Sequence, residues 1–153
     1  MNTLLSILVG TWFVVSSNFP MWLKGDKTNP KFNYTLTQKN GKTCLIDEVS
    51  YTQNNKTKSI KGFDYPLDST YKNFDWRGKG LLSALKSHWE IHLMDEQNEW
   101  AVIWFSKTPF TPEGAEIISR TNTLNDSTLS EIKTMMMNDS VLKKHVVGLV
   151  DLM

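Results

Sequence analysis

Apolar and polar residues alternate through most of this chain, in short runs separated by clusters of Gly, Asn, Asp and Pro. A period of two puts successive side chains on opposite faces of a strand, so the pattern predicts a succession of β-strands. The first is residues 11–16 (TWFVVS), followed by a stretch over 18–30 in which two prolines, Gly25 and Asp26 oppose regular structure. Residues 31–38 form the next strand, with Phe32, Tyr34 and Leu36 on one face and Asn33, Thr35 and Thr37 on the other. KNGK at 39–42 supplies an Asn-Gly turn suited to a two-residue hairpin. Strands over 43–52 and 57–65, joined by QNNK, extend this into a meander.

Further strands are predicted over 71–77 and 87–94, and DEQNE turns the chain into 99–106. There Trp100, Val102 and Trp104 share one face and Ala101, Ile103 and Phe105 the other, so this strand is expected to be buried on both sides. Residues 115–120 complete the series. The period then changes. Thr128 and Glu131 have the spacing of a capping box, and Leu129, Ile132 and Met136 recur at helical intervals, which predicts an amphipathic helix over 127–138. Residues 146–152 read as a short extra strand at the sheet edge. The opening MNTLLSILVG lacks a positive leading segment and is read as part of the fold, its leucines plugging one end of a barrel.

Strands in meander order with one late helix fit an all-β, eight-stranded antiparallel up-and-down barrel, a single domain over 1–153. An α/β fold is excluded because no helices alternate with the strands. A barrel of this size encloses room for side chains or for one small ligand.

Composition narrows the functions open to such a barrel. The 17 basic and 16 acidic residues nearly cancel, and no stretch gathers Lys and Arg into a track for nucleic acid. The single cysteine, Cys44, excludes an intrachain disulfide and cysteine-based zinc sites. No run approaches the ~18–20 apolar residues that cross a bilayer. A soluble monomer or weak dimer is expected, cytoplasmic or the mature form of a secreted or periplasmic protein.

Gly10-Thr11-Trp12, opening the first strand, resembles the G-x-W signature of the lipocalins within the calycin group of ligand-binding barrels. IISRT at 117–121 ends the eighth predicted strand just before the helix, where lipocalins place the arginine that packs over that tryptophan. Asn98-Glu99-Trp100 stands where many lipocalins carry T-D-Y, so the likeness points toward bacterial lipocalins and the lipocalin-like barrels of plant xanthophyll-cycle enzymes. The opening WFVVSSNFPMWLKG is also similar to intracellular fatty-acid-binding proteins, which place two helices after the first strand. The resemblance implies a non-catalytic carrier or store of a fatty acid, retinoid, carotenoid or similar guest, with Gly10, Trp12 and Arg120 closing the floor. A calycin-type isomerase or lyase is the alternative.

Six tryptophans are many for 153 residues, and aromatics line open barrels as readily as they fill closed ones. The candidate cavity residues are Trp22 in the first loop, Phe32, Tyr34, Leu36, Trp76, Trp89, Ile91 and Trp104, with core filling as the competing role. His88, Glu90 and His92 point to one side of their strand. Neighbours two apart stand nearly 7 Å from each other, and the opposite face carries Trp89, Ile91 and Leu93, so a solvated outer face is expected rather than a metal site. Asp75 and Arg77 read as an exposed ion pair, and His145 as a helix cap or a solvent-facing group. No catalytic residue is assigned, and no cofactor is expected.

Overall fold

The alternating segments pair into an antiparallel meander that closes on itself. A computed structural model describes residues 3–153. Its strands are β1 (Gly10–Ser17), β2 (Thr28–Lys39), β3 (Lys42–Gln53), β4 (Lys56–Pro66), β5 (Asn73–Gly78), β6 (Lys86–Met94), β7 (Trp100–Phe105) and β8 (Gly114–Ser119). Each pairs with the next, and β1 pairs with both β8 and β2, so the barrel has no open edge. Asn40 and Gly41 (φ 52° and 76°) and Asn54 and Asn55 (φ 52° and 59°) supply the left-handed backbone that two-residue hairpins require. The connections β1–β2, β3–β4, β5–β6 and β7–β8 therefore gather at one end, opposite the N-terminal segment.

That N-terminal segment seals the other end. Helix α1 (Leu4–Leu8) buries Leu5 and Leu8 against the core, as a plug of leucines should. Trp12 is fully buried and donates its Nε1–H to Leu8 O at 2.9 Å. The Arg120 guanidinium lies 3.8 Å above the Trp12 ring and donates to Thr11 O at 3.1 Å and to Ile7 O. Gly10 makes this approach possible: at φ +106°, an added Cβ would stand 3.2 Å from Arg120 Nη1. One guanidinium thus stacks on the indole while satisfying carbonyls from α1 and β1.

Outside the barrel, helix α3 (Asp126–Met137) lays Leu129, Ile132 and Met136 on Val15, Val102 and Ile117 of β1, β7 and β8. Those strands are accordingly apolar on both faces. The helix begins at Asp126, one residue before its predicted start, and Asn125 rather than Thr128 is the cap, its Oδ1 accepting the Thr128 N–H at 2.8 Å. Residues 143–148 form a 3-10 helix, and only Val150–Asp151 extend as β9 along β1, so the first three residues of the strand predicted over 146–152 are helical and two pair as a strand. His145 within it is buried against Asn18 (Nδ2–Nδ1 3.0 Å) rather than solvent-facing.

The first loop also departs from expectation. It holds one helical turn, α2 (Pro20–Leu23), where a fatty-acid-binding protein would carry two helices. The next strand then starts at Thr28 and runs through Pro30. The proline fits because the β2–β3 register is irregular between Thr28 and Lys31, while β1 pairs only with residues 31–34. Among the described residues no helix is long and apolar enough to cross a membrane.

Trp12→Ala should destabilise the fold by about 3–5 kcal/mol, since it removes a fully buried indole and strips the guanidinium of its platform. Urea unfolding checks this. An unchanged midpoint would contradict the structural role of the pair.

Candidate functional site

Residues opposite each other in an antiparallel ladder share a face, so the registers decide which side chains enter the barrel. Phe32 faces Val49, and Val49 faces Ile60; Trp76 faces Ser87, and Trp89 faces Phe105. These interior positions divide into two levels.

The level nearer the floor is filled. Trp89 stacks between Phe74 (centroids 4.4 Å apart) and Tyr34 (6.2 Å), with Leu45, Ile91 and Ile118 packed around them. Above it a cavity of about 460 Å³ opens toward the loops, lined by Trp22, Phe32, Val49, Ile60, Trp76 and Phe105, with Phe19 and Phe110 at the rim. Trp76 lies against β4 because residue 62 is glycine; a Cβ there would come within 2.4 Å of the indole. Phe19 meets Phe105 edge-on at 5.2 Å, and Trp22 is braced by Tyr51 at 5.7 Å, so α2 enters the mouth as an aromatic shoulder.

Of the eight candidate cavity residues, the structure brings Trp22, Phe32 and Trp76 to the cavity. Tyr34, Trp89 and Ile91 belong to the filled level beneath it. Leu36 has the interior parity but lies past the filled layer, toward the sealed end, and is 45% exposed. Trp104 lies outside the barrel among residues under α3 and donates to Glu113 Oε1 at 2.8 Å. Its neighbour Phe105 takes the interior side, because it is Phe105 that pairs with Trp89. With both faces of that strand apolar, parity alone does not say which face is inner.

His88, Glu90 and His92 lie on the outer face, as expected. His92 bridges Glu90 (2.8 Å) and Asp139 (3.0 Å), while His88 bridges Glu90 (3.0 Å) and Asp75 (3.4 Å), linking β5 and β6 to the segment after α3. Among the described residues no group of three or more His, Cys, Asp and Glu is arranged to hold a metal. Asp75 pairs with Lys86 at 3.2 Å rather than with Arg77, which is exposed.

The feature that the alternation did not single out is acidic. Asp47, Asp64 and Glu116 all sit inside the barrel, at 5%, 0% and 2% exposure. Trp89 Nε1 donates to Asp64 Oδ1 at 2.8 Å. Asp47 Oδ1, Asp64 Oδ2, Glu116 Oε2 and the Trp22 Nε1–H have no hydrogen-bond partner. The Trp22 nitrogen leans toward Glu116 without completing a bond of normal geometry. Burial pushes Asp64 up to about 7, with the bond from Trp89 and the neighbouring Asp47 acting in the opposite sense. Burial, and then the neighbouring Asp64, pushes Asp47 well above the carboxylate range. Burial likewise raises Glu116 to about 8, with Ser17 and Trp22 acting in the opposite sense. The interspersed Asp and Glu of LIDEV, GFDYP and GAEIIS were the available signal, each standing in an otherwise apolar strand.

No family model matches the sequence, and no curated protein matches it. Solved structures do. Insecticyanin from the tobacco hornworm Manduca sexta is 13% identical, with a TM-score of 0.69 over 97% of this chain and 79% of that one. Lobster apocrustacyanin A1 is 16% identical, with a TM-score of 0.66 over 95% of this chain and 77% of that one. The possum milk whey lipocalin trichosurin, solved with bound 4-ethylphenol, is 13% identical, with a TM-score of 0.62 over 94% and 95%.

The raised carboxyls make a pH prediction. Above about pH 4 the unfolded chain gives up the Glu116 proton, while the folded chain keeps it to about 8. The folded state therefore binds more protons across that window, and this group's contribution to stability falls as pH rises. Glu116→Gln should leave the melting temperature nearly unchanged at pH 4.5 and raise it by several degrees at pH 8.5. Scanning calorimetry at both pH values checks it; equal effects at both would show Glu116 to be solvated.

Proposed function

The chain has the lipocalin fold, and from that premise we propose that it binds and carries one small apolar molecule in the upper half of its barrel. The observation that carries the reading is the contrast between the two levels of the interior. A sealed and packed floor supports an apolar cavity of about 460 Å³ with an opening, within the range of small-molecule sites. Affinity comes from removing apolar guest surface from water, at about 25 cal/mol per Å² before ordering costs are subtracted.

The bound 4-ethylphenol of trichosurin supports a guest of this scale. Because Phe74, Trp89 and Tyr34 occupy the lower level, the cavity suits a one-ring or short-chain guest better than a long carotenoid.

A neutral hydrophobic fluorophore such as N-phenyl-1-naphthylamine should bind with one-to-one stoichiometry. Val49→Trp, which projects an indole into the cavity, should weaken it at least about tenfold with the circular dichroism spectrum unchanged. Unaltered binding to that variant would place the fluorophore elsewhere and count against the cavity.

A further inference from the structure

Resting on the reading of the cavity as a small-molecule site, the ionisable groups inside it specify the chemistry of the guest. Glu116 lines the cavity at 2% exposure with Oε2 unpartnered, and Trp22 lines it at 4% exposure with Nε1 unpartnered. The Trp22 N–H leans toward Glu116 without completing a hydrogen bond, so a donor and an acceptor on the cavity wall are withdrawn from water with neither satisfied, which leaves the carboxyl open to a ligand. The other buried carboxyls of the barrel, Asp47 and Asp64, stand close enough to Tyr34 to act on its hydroxyl, as Glu116 does.

Among the described residues no free cation faces these acids. Arg120 is committed to the floor over Trp12, and Lys86, at the rim, is 52% exposed and paired with Asp75. The groups facing Glu116 are Ser17, Trp22 and Tyr34, none of them basic. Around Glu116 the cavity presents the faces and edges of Trp22, Trp76, Phe32 and Phe105, whose π-systems attract a positive charge.

We propose that the cavity selects an apolar guest bearing a protonated amine, with the ammonium on Glu116 and the hydrocarbon body against Trp22, Trp76 and Phe105. A guest carboxylate would be withdrawn from water against the Glu116 carboxyl and the aromatic π-faces, with no free cation among the described lining residues to meet it. A neutral guest gains the apolar contact and only an uncharged hydrogen bond from Glu116. The ammonium forms a charge-assisted hydrogen bond with the carboxylate, taking the place of its proton. Since burial holds Glu116 near 8, a proton leaves to buffer as the amine binds at pH 7.

The test compares three probes of one skeleton: phenethylamine, phenethyl alcohol and phenylacetate. Each is titrated calorimetrically at pH 7 into the wild-type chain and into Glu116→Gln, in two buffers of different ionisation enthalpy. The amine should bind at least about tenfold more tightly than the alcohol, with phenylacetate weakest, and its heat alone should depend on the buffer. Glu116→Gln should abolish both the preference and the buffer dependence while keeping alcohol affinity and the folded spectrum. Equal affinities, tighter binding of phenylacetate, or a preference that survives Glu116→Gln would overturn the inference. If the fluorophore binds the cavity but phenethylamine fails to displace it, only the amine chemistry falls. If neither the fluorophore nor any probe binds, the carrier reading falls with it.

Discussion

A closed barrel has no edges, but it has two ends, and an interior can stay dry at one of them only if something large and polar-satisfied fills it. Here that closure is Trp12 under the Arg120 guanidinium, fastened to the carbonyls of Thr11 and Ile7. The indole fills the narrow end, and the guanidinium meets the backbone acceptors that α1 and β1 present there. The contact joins residues more than a hundred positions apart, bringing the start of β1 and the end of β8 together where the barrel closes. With the floor fixed, the stack of Phe74, Trp89 and Tyr34 has a base to pack on, and the unfilled volume is displaced to the mouth.

This division of the interior separates stability from recognition. The lower level packs apolar rings around two buried acids, Asp47 and Asp64, the second of which accepts the Trp89 Nε1–H. The upper level keeps space between aromatic walls, with Glu116 and the Trp22 N–H on them. Burying three carboxyls works against folding, which the barrel offsets elsewhere, by sealing its floor and by covering β1, β7 and β8 on their outer faces with α3. The outer His88–Glu90–His92–Asp139 chain adds a polar tie between the wall and the segment after α3 without entering the interior.

Much of the fold was legible because its signals are local. Alternation marks strands, Asn40-Gly41 and Asn54-Asn55 mark hairpins, and the repeat of Leu129, Ile132 and Met136 marks a helix with one greasy face. The misreadings arose where local preference yields to context. Pro30 reads as the end of a loop, yet it sits in a strand at an irregular register, and the terminal strand is shortened to two residues after a 3-10 helix docked through Asn18 and His145. The cavity was half legible. Trp22, Phe32 and Trp76 were found by residue type, whereas Phe105 was passed over for Trp104, and Glu116 was not noticed at all.

The sequence by itself determined the order and direction of the strands, the closure motif of Gly10, Trp12 and Arg120, and the presence of a late amphipathic helix, since each depends on residues near one another or on a recognisable signature. Only the tertiary structure decided which face of β7 is the inside, how deep the interior is filled, and that Asp47, Asp64 and Glu116 converge within it. The reason is geometric: a strand states that its side chains alternate, but the register of its neighbours assigns one set to the interior. Where both sets are apolar, as around Trp104 and Phe105, or where an acid is hidden among apolar residues, as at Glu116, the assignment exists only once the barrel has closed.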